Sequence, residues 1–313
     1  MLHLRALCPP DITGDVIGTL REHHGAAHVV CHRGAAVAPA GDLVEADVAR
    51  EAADELIGAL CALGVDHTGG ITLEQIDATF SDAADTAERV APGDAADAVV
   101  WQELVNRTGE ESRLTLTYQA FLTIACLLAA VGVITDSPIT IVGAMVLGPE
   151  FGPLAALSVG VVRRRWDLAR RGTLALGVGF LLAILITTAL TFLGHAAGLF
   201  EATALQGDHQ VDFVYQVGPW SLIAALLAGA AGMLSMMSTK STALVGVFIS
   251  VTTVPAASYA AVAAVLGDWP RCVGSLTQLV INMLGIVAAA AAVLWVRRRG
   301  SAVSDIDRPL SVG

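Results

Sequence analysis

The sequence predicts a mainly α-helical polytopic membrane protein of six spans, arranged as a 3+3 inverted repeat with two proline-broken helices. A small N-terminal α+β domain of ferredoxin-like order precedes it. Three observations carry this expectation. The chain of 313 residues is 55% hydrophobic and only 15% charged, with mean hydropathy +0.66, where soluble domains carry about 25% charge. The charge is unevenly divided: residues 1–113 hold 7 basic and 20 acidic side chains, net −13, whereas residues 114–313 hold 11 and 9, net +2. Finally, the second part contains six apolar runs near the ~20 residues that a spanning helix needs.

The acidic first part reads as water-soluble. "MLHLRALC" alternates like a strand. "DITGDVIGTLREHHG" follows as a helix, with Asp11 or Thr13 as N-cap and Gly25 as its stop. "AAHVVCHRG" and "GDLVEADVA" read as a second and third strand. "REAADELIGALCALG" forms a second helix, with Ala52, Leu56, Ala59, Leu60 and Leu63 on one face and Gly64 just past its end. "GGITLEQIDATFS" is a fourth strand. The order β-α-β-β-α-β over residues 1–78 is that of the ferredoxin-like split unit, and such a domain suits a cytoplasmic regulatory or oligomerisation role. His28, Cys31 and His32 raise the question of a metal site. On a strand, residues 28 and 31 point to opposite faces, so no metal and no cofactor is expected.

Residues 79–113 form an acidic linker with a break at "APGD". An amphipathic helix follows, its apolar side carrying Val99, Val100, Leu104 and Val105. The spanning helices of the transmembrane domain, 114–299, fall at about 115–134, 138–162, 172–195, 219–237, 241–266 and 273–296. Residues 300–313 read as a disordered C-terminal tail. "RRRWDLARR" between the second and third spans, Lys240 between the fourth and fifth, and "RRR" after the sixth all fall on one face, which the positive-inside rule makes cytoplasmic. Both termini are then cytoplasmic, in a multi-pass inner-membrane protein. The N-terminus "MLHLRALCPPDITGD" does not read as a signal peptide. The 5 cysteines, odd in number and without a CxxC, read as free thiols of a reducing compartment. The acidic balance argues against nucleic acid as a partner. A homo-oligomer, the lipid bilayer and a small solute or ion are the expected partners.

The second span contains "GAMVLGPEFGP" (143–153), where Gly148, Pro149, Glu150, Gly152 and Pro153 interrupt an apolar run. Prolines break the helical ladder, and freed backbone groups survive at membrane depth only against protein or a watery cavity. A carboxylate there suits coupling to a proton or cation. The fifth span offers a counterpart: aligning Val142-Gly143 with Val245-Gly246, an offset of 103, brings a second break around Thr252, Thr253 and Pro255. With three helices per half, the halves must be inverted. Lys240 and Ser241 sit at the entry to the fifth span, and Asn282, with Gln278, crosses from the sixth by hydrogen bonds. Asp136-Ser137-Pro138 reads as a helix cap, and "AALLAGAAG" as a packing seam.

"TDSPITIVGAMVLGPEFGPLAAL" (135–157) followed by "RRR" closely resembles the bacterial and archaeal family of hydrophobic proteins catalogued as domain of unknown function 389. "KSTALVGVFISVTTVPAASY" (240–259) resembles its second apolar motif. The resemblance implies a polytopic inner-membrane protein. It brings no established activity, and no residue role is taken from it.

On the residues alone, the leading functional reading is a membrane transporter or channel-like permease with a cytoplasmic regulatory domain. The alternative is a membrane-anchored sensor or scaffold whose soluble domain is the working part. A membrane-embedded enzyme is the weakest reading, because no HExxH, GxSxG or Cys/His cluster lies in the apolar half.

Overall fold

The computed structural model describes residues 1–91, 98–201, 205, 210–215, 218–238 and 252–306, by backbone alone at 213 and 299–306. It divides into two compact units, Met1–Leu104 and Val105–Gly313.

The first unit is built on a four-stranded antiparallel sheet of β1 (Leu2–Cys8), β2 (Ala26–Val37), β3 (Ala40–Val48) and β4 (Gly70–Gln75), in the order β2-β3-β1-β4. The helices α1 (Thr13–Glu22) and α2 (Ala53–Ala62) fall between β1 and β2 and between β3 and β4, as a split β-α-β arrangement requires. Alternation decides the core: Leu2, Leu4, Ala6 and Cys8 of β1 are buried, together with Val44, Ala46 and Val48 of β3. Val16 and Leu20 of α1 and Leu56, Ile57 and Leu60 of α2 close over them. Gly64, at φ 77°, takes the left-handed position after α2, where only glycine is free of a Cβ penalty. A short helix α3 (Val65–Thr68) leads into β4.

Two expectations change here. The residue capping α1 is Ile12, without a side-chain hydrogen bond, in place of Asp11 or Thr13. Thr13 lies inside the helix, where its hydroxyl reaches the buried Asp42 instead. The stretch after β4 also contains a helix, α4 (Asp82–Val90), capped by Ser81. Ala84 and Ala87 bury its inner face, and its residues pack against β2 and β3. The compact unit therefore runs past residue 78, and the division falls within α5 (Trp101–Glu111).

The histidines meet the carboxylates of β3. His3 Nδ1 lies 2.9 Å and His28 Nδ1 2.7 Å from the two oxygens of Asp47, and His32 Nε2 lies 3.5 Å from Glu45. Among the described residues no three His, Cys, Asp or Glu side chains are placed to hold a metal ion. All 5 cysteines are free thiols.

The second unit is helical. Among the described residues four helices are long and apolar enough to cross a membrane: α6 (Leu116–Ile134), α9 (Trp166–Ala196), α10 (Pro219–Met237) and α12 (Trp269–Ile306), the last over its first 30 residues, Trp269–Arg298. Between α6 and α9 lie α7 (Pro138–Leu147) and α8 (Phe151–Val162), which together pass the same test but bend by 53° at the break. Among the described residues the count is thus 4, or 5 with the bent pair as one span. The expected fifth span, at 241–266, lies within the described residues only from 252, as α11 (Thr253–Val265). Lys240, Ser241 and the Val245-Gly246 half of the repeat lie outside them.

Ser137 caps α7, its Oγ accepting from the Thr140 N–H at 3.3 Å, with Pro138 in the first turn where its missing N–H is harmless. One face of α9 exposes Leu174, Val178, Leu181, Leu185, Phe192 and Leu193, an apolar surface suited to acyl chains. Exposed tryptophans sit near helix ends: Trp166 and Trp295 with the arginines, Trp220 and Trp269 at the opposite ends of α10 and α12. This is the distribution that membrane–water interfaces favour. Trp269 and Trp295 are separated along α12 by about 39 Å at 1.5 Å per residue.

Candidate functional site

The long helix α12 orders the two broken segments. Arg298 donates to the Val162 carbonyl at 3.0 Å, and Ser158 Oγ lies 3.4 Å from the Val287 carbonyl, so α8 runs beside the second half of α12. Asn282 Nδ2 donates to Thr252 Oγ1 at 2.6 Å, and α11 runs from there towards the start of α12. The half-helices α8 and α11 therefore start near one level and diverge along α12. Each begins with the same local grammar, a cap, two residues and a proline: Glu150-Phe151-Gly152-Pro153 and Thr252-Thr253-Val254-Pro255. A proline in the first turn keeps φ helical and adds no stranded N–H. By this pairing of roles the offset is 102, one residue from the one that the Val-Gly alignment gives.

The two starts touch. Thr253 Oγ1 donates to Glu150 Oε1 at 2.7 Å. Glu150 is 3% exposed, and its second oxygen, Oε2, is buried without a hydrogen-bond partner among the described residues. The positive ends of two helix dipoles thus converge on one carboxyl group. Gly148 makes room for it: a Cβ there would strike Glu150 Oε2 and come within 2.9 Å of Val254 Cγ2. Gly152 makes room on the other side, since a Cβ would lie 2.7 Å from that of Glu111 at the end of α5. The proline break thus turns the chain, and the flanking glycines let neighbours close over the turn.

From this contact a row of polar groups leads along α12. Asn282 Oδ1 accepts from Gln278 Nε2 at 3.2 Å, and Gln278 Oε1 lies 3.3 Å from Ser221 Oγ of α10. The single Ser221 hydroxyl hydrogen serves either that oxygen or the Gly218 carbonyl at 2.8 Å. Gln278 and Asn282 are fully and almost fully buried. Amides do not titrate, so this row can solvate an ion or order water but cannot pass a proton by itself. On the other side of the break, a cavity of about 390 Å³ is lined by Pro149, Phe151 and Gly152 with Tyr118, Phe121 and Met236, and by Glu110, Glu111 and Arg113.

The structure therefore brings together Gly148, Pro149, Glu150, Gly152, Thr253 and, through Thr252, Asn282. Pro153 and Pro255 are buried within the first turns of their helices and line no part of that cavity. Sequence reasoning missed Ser221, which reads as an ordinary first-turn residue; the polar pair Gln278 and Asn282, four apart on one helix face, was the available signal. It also missed Tyr259, fully buried in α11, whose hydroxyl lies 3.2 Å from Asp212 Oδ1.

No solved structure matches the chain. Residues 145–288 match the sequence model of the family described as "Domain of unknown function (DUF389)", and this stretch of the chain bears out the resemblance. It takes in both breaks and the Gln278–Asn282 pair. The chain is also similar to "Uncharacterized protein MJ0678" of Methanocaldococcus jannaschii, 25% identical over 192 residues, or 61% of this chain. The chain spans 58% of that relative's length.

Proposed function

We propose that the apolar half is a transporter or channel-like permease for a small solute or ion, and that Glu150 is the group through which a proton or cation is coupled to it. One observation carries this reading: a buried carboxyl oxygen without a partner among the described residues, held where two half-helices begin head to head. A partnerless acceptor in apolar surroundings is costly unless something transient fills it. A proton or a cation does so directly, whereas a purely structural carboxylate would be paired at both oxygens. The row Asn282–Gln278–Ser221 supports a polar route from the break along α12, and the cavity at Pro149 and Gly152 supports access from the other side. The family match over the same residues is consistent with a conserved architecture but names no activity.

In this reading the protein has six spans in two inverted halves, lies in the inner membrane with both termini cytoplasmic, and works as a homo-oligomer regulated by its N-terminal unit. Flux into liposomes loaded with a pH-sensitive dye, measured against a panel of ions, tests the role of Glu150. Glu150→Gln keeps the acceptor for Thr253 but cannot exchange a proton, so the pH dependence of flux should disappear. Asn282→Leu should lower the flux while leaving its pH midpoint in place. Unchanged, pH-dependent flux in Glu150→Gln removes the coupling role.

A further inference from the structure

A second, larger cavity, of about 750 Å³, lies between the end of α5, the start of α6 and the first turns of α9. It shares Glu110, Arg113 and Thr115 with the cavity at the break but includes neither Pro149 nor Gly152. Three arginines line it: Arg113, Arg165 and Arg171. Arg165 is held by Asp167 through two hydrogen bonds, Nε to Oδ1 and a terminal nitrogen to Oδ2, both at 3.2 Å, which cancels its charge locally. Arg113 and Arg171 are exposed, and among the described residues neither has a carboxylate within ion-pair distance. Glu110 is the remaining acid on the lining, so the cavity keeps a net positive charge.

The far side of the same cavity is apolar. Leu114 and Leu174, each about half exposed, and the buried Leu168 line it. Along α9 the order is fixed: Arg165 comes first, then the exposed Trp166 that marks an interface, then Arg171, and within one further turn Leu174. Charge therefore sits at the level of the headgroups and leucine lies deeper. A free anion has no use for the leucines, and an acyl chain has no use for unpaired guanidinium groups. A molecule carrying both a phosphate diester and a chain uses the whole lining, and a basic pocket between spanning helices is suited to such headgroups.

We propose that this cavity is a binding site for an anionic phospholipid, its phosphate held between Arg113 and Arg171 and an acyl chain lying along Leu114 and Leu174. The site lies beside the α5–α6 junction, whose Glu111 packs on Gly152, so its occupancy bears directly on the segment next to the break.

The test uses the full chain in nanodiscs of phosphatidylcholine with a minor share of phosphatidylglycerol, followed by native mass spectrometry of the lipids retained. The wild type should retain phosphatidylglycerol preferentially. The double variant Arg113→Gln/Arg171→Gln should lose about thirtyfold in that preference, since each basic residue near an anionic surface carries about 1 kcal/mol. Arg170→Gln, adjacent in sequence but outside the cavity lining, should keep it. Equal preference in the wild type and the double variant overturns the proposal. So does displacement of the bound lipid by millimolar inorganic phosphate, because the site is then one for a soluble anion. Neither targeted arginine has an ion-pair partner among the described residues, so elution of the variants at the wild-type volume in size-exclusion chromatography is expected and keeps the comparison valid.

Discussion

Glu150 Oε2 is a buried hydrogen-bond acceptor with no donor among the described residues, a state that costs about 1–3 kcal/mol. The same substitution that removes coupling should therefore help the fold. Glu150→Gln offers the Thr253 hydroxyl the same acceptor and exchanges an ionisable carboxyl for a neutral amide, whose NH2 stays unpaired but is far cheaper to bury than a charge, so we expect a higher Tm in detergent alongside the lost pH response. Strain kept at a working position and relieved by an inert variant is a known signature of function. Asp42 in the first unit is the opposite case. The Gly34 N–H at 2.7 Å and the Thr13 hydroxyl at 2.8 Å satisfy its two oxygens and hold its carboxyl below the usual carboxylate range. A carboxyl depressed by folding contributes stability above its unfolded value of about 3.9 and loses it as pH falls through the folded value. Circular-dichroism melts of the wild type should thus fall steeply below about pH 4. Asp42→Asn should melt earlier at neutral pH and show a shallower acid limb.

At the scale of elements, the α8–α9 contact depends on two glycines. A Cβ on Gly172 would lie 2.5 Å from the Pro153 carbonyl oxygen, and one on Gly160 would lie 2.6 Å from the Ala169 nitrogen. Both obstacles are backbone, so the helices must separate. We expect Gly172→Ala to cost about 1–3 kcal/mol by overpacking, read as lower thermal stability, and to disturb the break, since Pro153 is one of the atoms pushed. Much of this was legible in the sequence. The interruption at 148–153 announced itself by proline and glycine inside an apolar run, and the spans at 116–134 and 219–237 fell where hydropathy put them. Helix ends were less legible. Thr13 looks like a cap by residue type, but Asp42, 29 positions away, claims its hydroxyl. Likewise α4 is too polar to announce burial, and only the presence of β2 and β3 beneath Ala84 and Ala87 makes it a packed helix. Long-range partners of this kind, including Thr253 for Glu150 and Ser221 for Gln278, leave no mark on local periodicity.

For the whole molecule, the two compact units make a prediction about independence. Residues 1–104 contain their own core, with Leu4, Leu20, Leu56 and Leu60 fully buried, and all four strands of the sheet. Expressed alone, this segment should give a cooperative melt and dispersed amide resonances. Leu56→Ala should destabilise it by about 2–5 kcal/mol. Aggregation of the isolated segment, with the membrane half still soluble in detergent without it, would show that the first unit leans on the second for its fold.

Of the 5 tryptophans of the chain, Trp101 is buried in the first unit; the remaining 4 are the exposed rings near the helix ends. Intrinsic fluorescence consequently reports immersion without any label. Lipids brominated near the glycerol backbone should quench most of the emission, and lipids brominated at the chain terminus should leave it nearly intact. A bilayer a few ångströms too thin or too thick would then register as a colour shift in those rings before any loss of secondary structure.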